Sequence, residues 1–114
     1  MSSKYAPAIV DIATVIAIIK DMGGNSIKFF PMRGLETIEE YRAVVQACVE
    51  ADFILEPTGG IDLTNFQEII QIAVDMGIKK IIPHIYSSII NSVTKTTNVD
   101  DIKKLMKMIN EVLK

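Results

Sequence analysis

With 114 residues, 49% of them hydrophobic and 23% charged, the chain is long enough for one packed domain over residues 1–114 and too apolar for disorder. A net charge of −2, with no basic run interleaved with aromatics, excludes an electrostatic surface for nucleic acid or an anionic membrane. The single cysteine, Cys48, excludes an intramolecular disulfide, and the apolar run of residues 9–19, interrupted by Asp11, falls short of the roughly 20 apolar residues a span requires, so no membrane segment is expected and the cytoplasm is the expected location.

A first helix is predicted over residues 12–22, with Asp11 as its N-cap and Gly23-Gly24 as its stop. The run Ser26-Ile27-Lys28-Phe29-Phe30-Pro31 then reads as a strand. Thr37 opens a second helix, with Glu40 completing a capping box, and Tyr41, Val44, Val45, Cys48 and Val49 fall on one face. A second strand is Phe53-Ile54-Leu55-Glu56-Pro57. Thr64 with Gln67 repeats the capping-box pattern ahead of a helix lined by Phe66, Ile69, Ile70, Ala73 and Val74, which Gly77 ends. The third strand is predicted over residues 80–86. Asn98 caps a last helix carrying Ile102, Leu105, Met106, Ile109 and Leu113.

Helices and strands that alternate over short connections predict an α/β fold, with three parallel strands and four helices. Lys28, Thr58 and Ser88 close the strands at intervals of thirty residues, the size of one βα unit, and Asp-Met-Gly recurs at residues 21–23 and 75–77. Alternate strand positions carry Lys28 with Phe30, and Glu56 with Thr58, which suits a shared polar interior. Two of three strands would be bare edges that invite pairing with another chain, so a lone monomer is not expected.

Lys28 stands between Ile27 and Phe29-Phe30. Burial there would favour the neutral amine that attacks a carbonyl; the bland alternative is a strand-edge lysine that snorkels to water. The glycines of Thr58-Gly59-Gly60 allow backbone N–H groups to approach an anion closely, and Ser87-Ser88 would add donors on the same rim. Glu56 shares side-chain parity with Thr58 and is either a catalytic or substrate-contacting carboxylate or a structural one paired with Lys28. His84 could relay a proton or touch phosphate, or serve as a hydrogen-bonded structural residue; Tyr86 shares its parity. Arg33 reads as a loop charge or a phosphate contact, and the methionines as core filling.

Lys28-Phe29-Phe30-Pro31 followed by Pro57-Thr58-Gly59-Gly60-Ile61 resembles the paired signature of the 2-keto-3-deoxy-6-phosphogluconate (KDPG) aldolases. Residues 20–24, 56–61 and 82–90 are closer still to the branch found in glucosaminate-type sugar-acid catabolism, and the resemblance runs from about Pro7 onward. It implies the C-terminal portion of a TIM (β/α)8 barrel, strands six to eight with a preceding helix. It also implies a class I mechanism with no metal or cofactor. Lys28 would form the imine, Thr58 would hold the substrate carboxylate, and Gly59, Gly60, Ser87 and Ser88 would hold the phosphate. The phosphorylated 2-keto-3-deoxy sugar acid would yield pyruvate and glyceraldehyde 3-phosphate.

The early-strand Glu and Arg of the better-known branch have no counterpart here, which leaves Glu56 as the candidate acid–base substitute. A homo-oligomer or a complementing N-terminal half is expected to complete the barrel. The competing reading is a non-catalytic phosphosugar-binding or interaction module.

Overall fold

The carboxylate of Asp11 accepts the amide of Thr14 at 3.1 Å and opens the first helix, α1 (Ile12–Asp21), as expected of an N-cap. Gly23, at φ 89°, takes the left-handed conformation that turns the chain out of it. The computed structural model describes residues 6, 9–86, 89–90 and 96–113. After α1 come β1 (Ser26–Phe29), a 3-10 turn (Gly34–Thr37), α2 (Ile38–Ala51), β2 (Ile54–Pro57), α3 (Phe66–Asp75) and α4 (Val99–Val112). Asn98 caps α4, its side-chain oxygen accepting the amides of Asp100 and Asp101 at 3.0 and 3.4 Å.

Two expected caps are built differently. Thr37 does occupy the position before α2, but its hydroxyl donates to the Met32 carbonyl and caps nothing. Ahead of α3 the reciprocal pair is Asp62 with Asn65 instead of Thr64 with Gln67. The Asp62 amide donates to the Asn65 side chain at 2.9 Å, and the Asp62 carboxylate accepts the amides of Thr64 and Asn65 at 2.8 and 3.2 Å. An ionised carboxylate is a stronger acceptor than a hydroxyl, and Asp62 also takes the Thr64 hydroxyl at 2.5 Å.

β1 and β2 pair in parallel, in register from Ser26↔Ile54 to Phe29↔Pro57. The predicted third strand is reduced to isolated parallel bridges, Leu55↔Ile81 and Thr58↔His84. Its rungs are Leu55 N–H to Lys80 C=O at 3.3 Å, Ile82 N–H to Leu55 C=O at 2.8 Å and His84 N–H to Pro57 C=O at 3.0 Å. The next rung in that series would need an N–H on Pro57, which proline lacks, so the ladder breaks between its two halves. Residues 80–86 nevertheless run alongside β2, and the expected order of three parallel segments is kept.

One face of the sheet is apolar. Leu55 is fully buried there, and the Phe29 ring stacks on Tyr41 of α2 at 6.3 Å between centroids. The Tyr41 hydroxyl donates to the Ile69 carbonyl at 2.8 Å, tying α2 to α3. Val44, Val45, Cys48, Phe66, Ile69 and Ala73 complete the core on the helical faces expected of them. α1 packs on α2, and α4 on α3. The α4 stripe is split: Leu105 and Val112 are buried, Ile109 is half-buried, and Ile102, Met106 and Leu113 are exposed. Among the described residues no helix is long and apolar enough to cross a membrane.

Candidate active site

The opposite face of the sheet collects polar side chains at alternate positions: Ser26 and Lys28 from β1, Glu56 from β2, and His84 and Tyr86 from the third segment. Strand parity does this, because residues two apart project to one side. Lys28 and Glu56 are direct register partners. These residues approach the carboxyl ends of their parallel segments, the side on which open α/β sheets bind ligands.

Lys28 is exposed, as in the alternative of a strand lysine that reaches water, and is not buried by its apolar neighbours. Ile27 and Phe29 turn to the helical layer, whereas Lys28 and Phe30 lie on the other parity; Phe30 is itself 65% exposed. The Lys28 ammonium stands 5.9 Å from the centre of the Phe30 ring and 3.5 Å from the Tyr86 hydroxyl.

Glu56 is bound on both oxygens. The Ser26 hydroxyl donates to Oε2 at 2.6 Å, and His84 Nε2 lies 2.9 Å from Oε1. The Ser26 hydrogen bond first, and then the His84 bond, hold its carboxyl below the usual carboxylate range, with the charges of His84 and Lys28 adding to the same direction. An acceptor-only carboxylate at Nε2 implies an N–H there, which in the neutral imidazole leaves Nδ1 as the acceptor. Tyr86 Oη lies 3.4 Å from Nδ1. The result is a continuous chain of polar contacts: Lys28, Tyr86, His84, Glu56, Ser26.

Thr58 is buried, 1% exposed, with its hydroxyl donating to the Glu56 carbonyl at 3.1 Å and its amide donating to Phe29 at 3.0 Å. Gly59 and Gly60 follow with φ of 106° and 69°. Their turn packs directly on residues 32–34: Met32 N–H donates to the Thr58 carbonyl at 2.8 Å and Gly34 N–H to the Gly59 carbonyl at 3.0 Å. The Asn65 amide fixes the Gly60 carbonyl at 2.8 Å. Around this turn lies an open cleft of about 790 Å³, lined by Pro31, Arg33, Gly34, Leu35, Glu36, Gly59, Gly60 and Asn65. Arg33, exposed and left-handed at φ 55°, brings a guanidinium to it.

The structure thus brings Lys28, Glu56 and His84 into one cluster and sets Thr58-Gly59-Gly60 immediately beyond it. Ser87 and Ser88 lie outside the described residues. Sequence reasoning missed Ser26 and Asn65. Ser26 could have been found from its parity with Lys28, since both occupy one face of the same strand. Asn65 carries no such signal, because its partner Gly60 is a backbone carbonyl. Among the described residues no group of three or more His, Cys, Asp or Glu is placed to hold a metal ion.

The chain matches the family model described as KDGP aldolase over residues 1–93. It is also similar to a Salmonella typhimurium (strain 14028s / SGSC 2262) protein named 2-dehydro-3-deoxy-phosphogluconate aldolase. The two are 37% identical over 113 residues, covering 98% of this chain and 46% of that relative. The chain therefore spans about half the length of the curated relative it matches.

Proposed function

Because the chain belongs to the KDGP aldolase family, we propose that it carries the imine-forming half of a class I aldolase that cleaves a phosphorylated 2-keto-3-deoxy sugar acid to pyruvate and glyceraldehyde 3-phosphate. The observation that carries this reading is the pairing of Lys28 with Glu56 on the accessible polar face of the sheet, one step before the Thr58-Gly59-Gly60 turn. An amine that reaches solvent can meet a keto carbon, and the protonated imine then draws electrons from the C–C bond being cleaved.

In this reading Lys28 forms the imine, and Glu56 and His84 supply the neighbouring charge and proton-transfer capacity. Thr58 contacts the substrate carboxylate. Gly59 and Gly60 hold the phosphate, with Arg33 in the same cleft as a cationic contact; Ser87 and Ser88 are proposed as further phosphate donors. No metal or cofactor enters the proposed chemistry.

The fold proposed for the whole assembly is a TIM barrel, of which this α/β unit forms three consecutive segments. Its polar sheet face would line the barrel interior and its helices the outer layer. The exposed apolar residues Ile18 and Met22 at one end, and Ile102, Met106 and Leu113 on α4, support a further layer supplied by a second copy or an N-terminal half. The competing reading, a non-catalytic phosphosugar-binding or interaction module, draws on the same exposed surfaces. Incubation with pyruvate and borohydride separates the two. A reduced pyruvyl adduct on Lys28 is expected of an aldolase, and its absence under conditions that label a full-length relative would exclude the imine.

A further inference from the structure

We propose that Tyr86 is the proton-transfer residue for Lys28, held in place by His84 and Glu56. The inference rests on the imine reading and assigns the atoms that move the proton. Tyr86 Oη is 3.5 Å from Lys28 Nζ, near enough for direct transfer once substrate draws the groups together. On its other side the same oxygen lies 3.4 Å from His84 Nδ1, and His84 Nε2 is anchored on Glu56 at 2.9 Å.

The direction of the chain follows from its fixed end. Ser26 donates to one Glu56 oxygen, and His84 Nε2–H donates to the other. Nδ1 is then the acceptor for the Tyr86 O–H, and the Tyr86 oxygen is left to accept from Lys28. Both Glu56 oxygens are engaged, by Ser26 and His84, so Glu56 serves as a positioning residue that orients the imidazole, while Tyr86 is the group that touches the reacting nitrogen.

The chemistry balances with water as the only other product. Attack of the neutral Lys28 amine on the keto carbon forms the C–N bond and moves the carbonyl electron pair to oxygen. The nitrogen gives one proton to Tyr86, whose own proton passes to His84 Nδ1; Tyr86 protonates the alkoxide to the carbinolamine hydroxyl, regains its proton from His84, and a second proton, taken up from solvent by the same route, converts that hydroxyl to departing water. Expulsion of water breaks the C–O bond, the nitrogen lone pair closes the C=N bond, and the protonated imine keeps the remaining N–H. The net uptake of one proton is met from solvent through His84.

The titratable and charged groups around the relay are Lys28 on β1, Glu56 on β2, and His84 and Tyr86 on the third segment. Glu40 of α2 lines the same edge cleft as Lys28. None of the other helical charges shares a hydrogen bond with the cluster among the described residues.

The test is the rate at which cyanoborohydride traps the pyruvate imine on Lys28, followed by mass spectrometry from pH 5 to 9 in the wild-type chain and in Tyr86→Phe, His84→Ala and Glu56→Gln. Tyr86→Phe is expected to slow trapping by roughly 100-fold while the final adduct level stays the same. His84→Ala is expected to slow trapping and to recover speed with added imidazole, which a purely structural histidine would not do. If Tyr86→Phe traps at the wild-type rate, or imidazole leaves His84→Ala unchanged, the relay is overturned while the imine stands. If the wild-type chain forms no adduct, the imine reading fails and the relay with it.

Discussion

A Cβ on Gly60 would stand 2.6 Å from the amide nitrogen of Gly34, and a Cβ on Gly34 would stand 2.9 Å from the carbonyl oxygen of Gly60. Each glycine excludes a side chain at the other, and both have positive φ, 69° and 61°. Gly60→Ala therefore combines left-handed strain with a backbone collision. It is expected to destabilise the chain by about 2–3 kcal/mol, whereas Gly23→Ala, with φ 89° and nothing within 4 Å, should cost only about 1 kcal/mol. Urea denaturation of the two variants checks the order; equal midpoints would show that the turn yields to the new methyl group.

Lys28 lies on the exposed face, so its replacement should leave the fold intact and remove only the chemistry. Lys28→Arg keeps a cation beside Glu56 but offers no nucleophilic amine at neutral pH. Stability is expected to change by less than about 0.5 kcal/mol, and the pyruvyl adduct to disappear. Peptide mapping after borohydride reduction checks this, and an adduct that persists on another lysine would move the imine elsewhere.

Cys48 lies on the buried face of α2, 1% exposed, and burial pushes its thiol up to about 11. The reactive thiolate is therefore scarce as well as shielded. Thiol reagents at pH 8 are expected to label Cys48 only after unfolding, with labelling rising along the same denaturant curve as the loss of helical signal. Fast labelling of the folded chain would mean that α2 opens locally.

What the sequence makes legible here is whatever depends on periodicity. The spacing of Tyr41, Val44, Val45 and Cys48 identifies the α2 core face, and parity alone puts Lys28 and Glu56 on a shared polar face. Caps are read less well, because Asp62, Thr64 and Asn65 compete for the same donors and the outcome depends on reach and charge. The third strand reads as continuous because its own residues are strand formers; the break comes from Pro57, on its neighbour, which cannot donate. Burial of Lys28 could not be judged from Ile27 and Phe29, since flanking residues point away from it. The glycines of Gly59-Gly60 were expected to admit an anion, yet their first requirement is close packing against residues 32–34, a contact between segments that neither segment announces.

Glu56 offers the sharpest pH prediction. Its carboxyl is held below the ordinary glutamate value of about 4.3 by Ser26 and then by His84. A folded value below the unfolded one means that the stabilisation is present in full above the unfolded value and is lost as pH falls through the folded one. The wild-type chain should thus lose stability progressively below about pH 4.5. Asp11 and Asp62, lowered chiefly by their hydrogen bonds to Thr14 and Thr64, share in that loss. Glu56→Gln removes one contributor, because an amide can still accept from Ser26 but does not titrate. The variant is expected to be less stable at pH 7 and to lose less on going from pH 5 to pH 3, so that the two stability curves converge in acid. Thermal melts across that range provide the measurement. Curves that stay parallel would mean that Glu56 keeps the same proton affinity folded and unfolded, and that its contacts with Ser26 and His84 do not persist in solution.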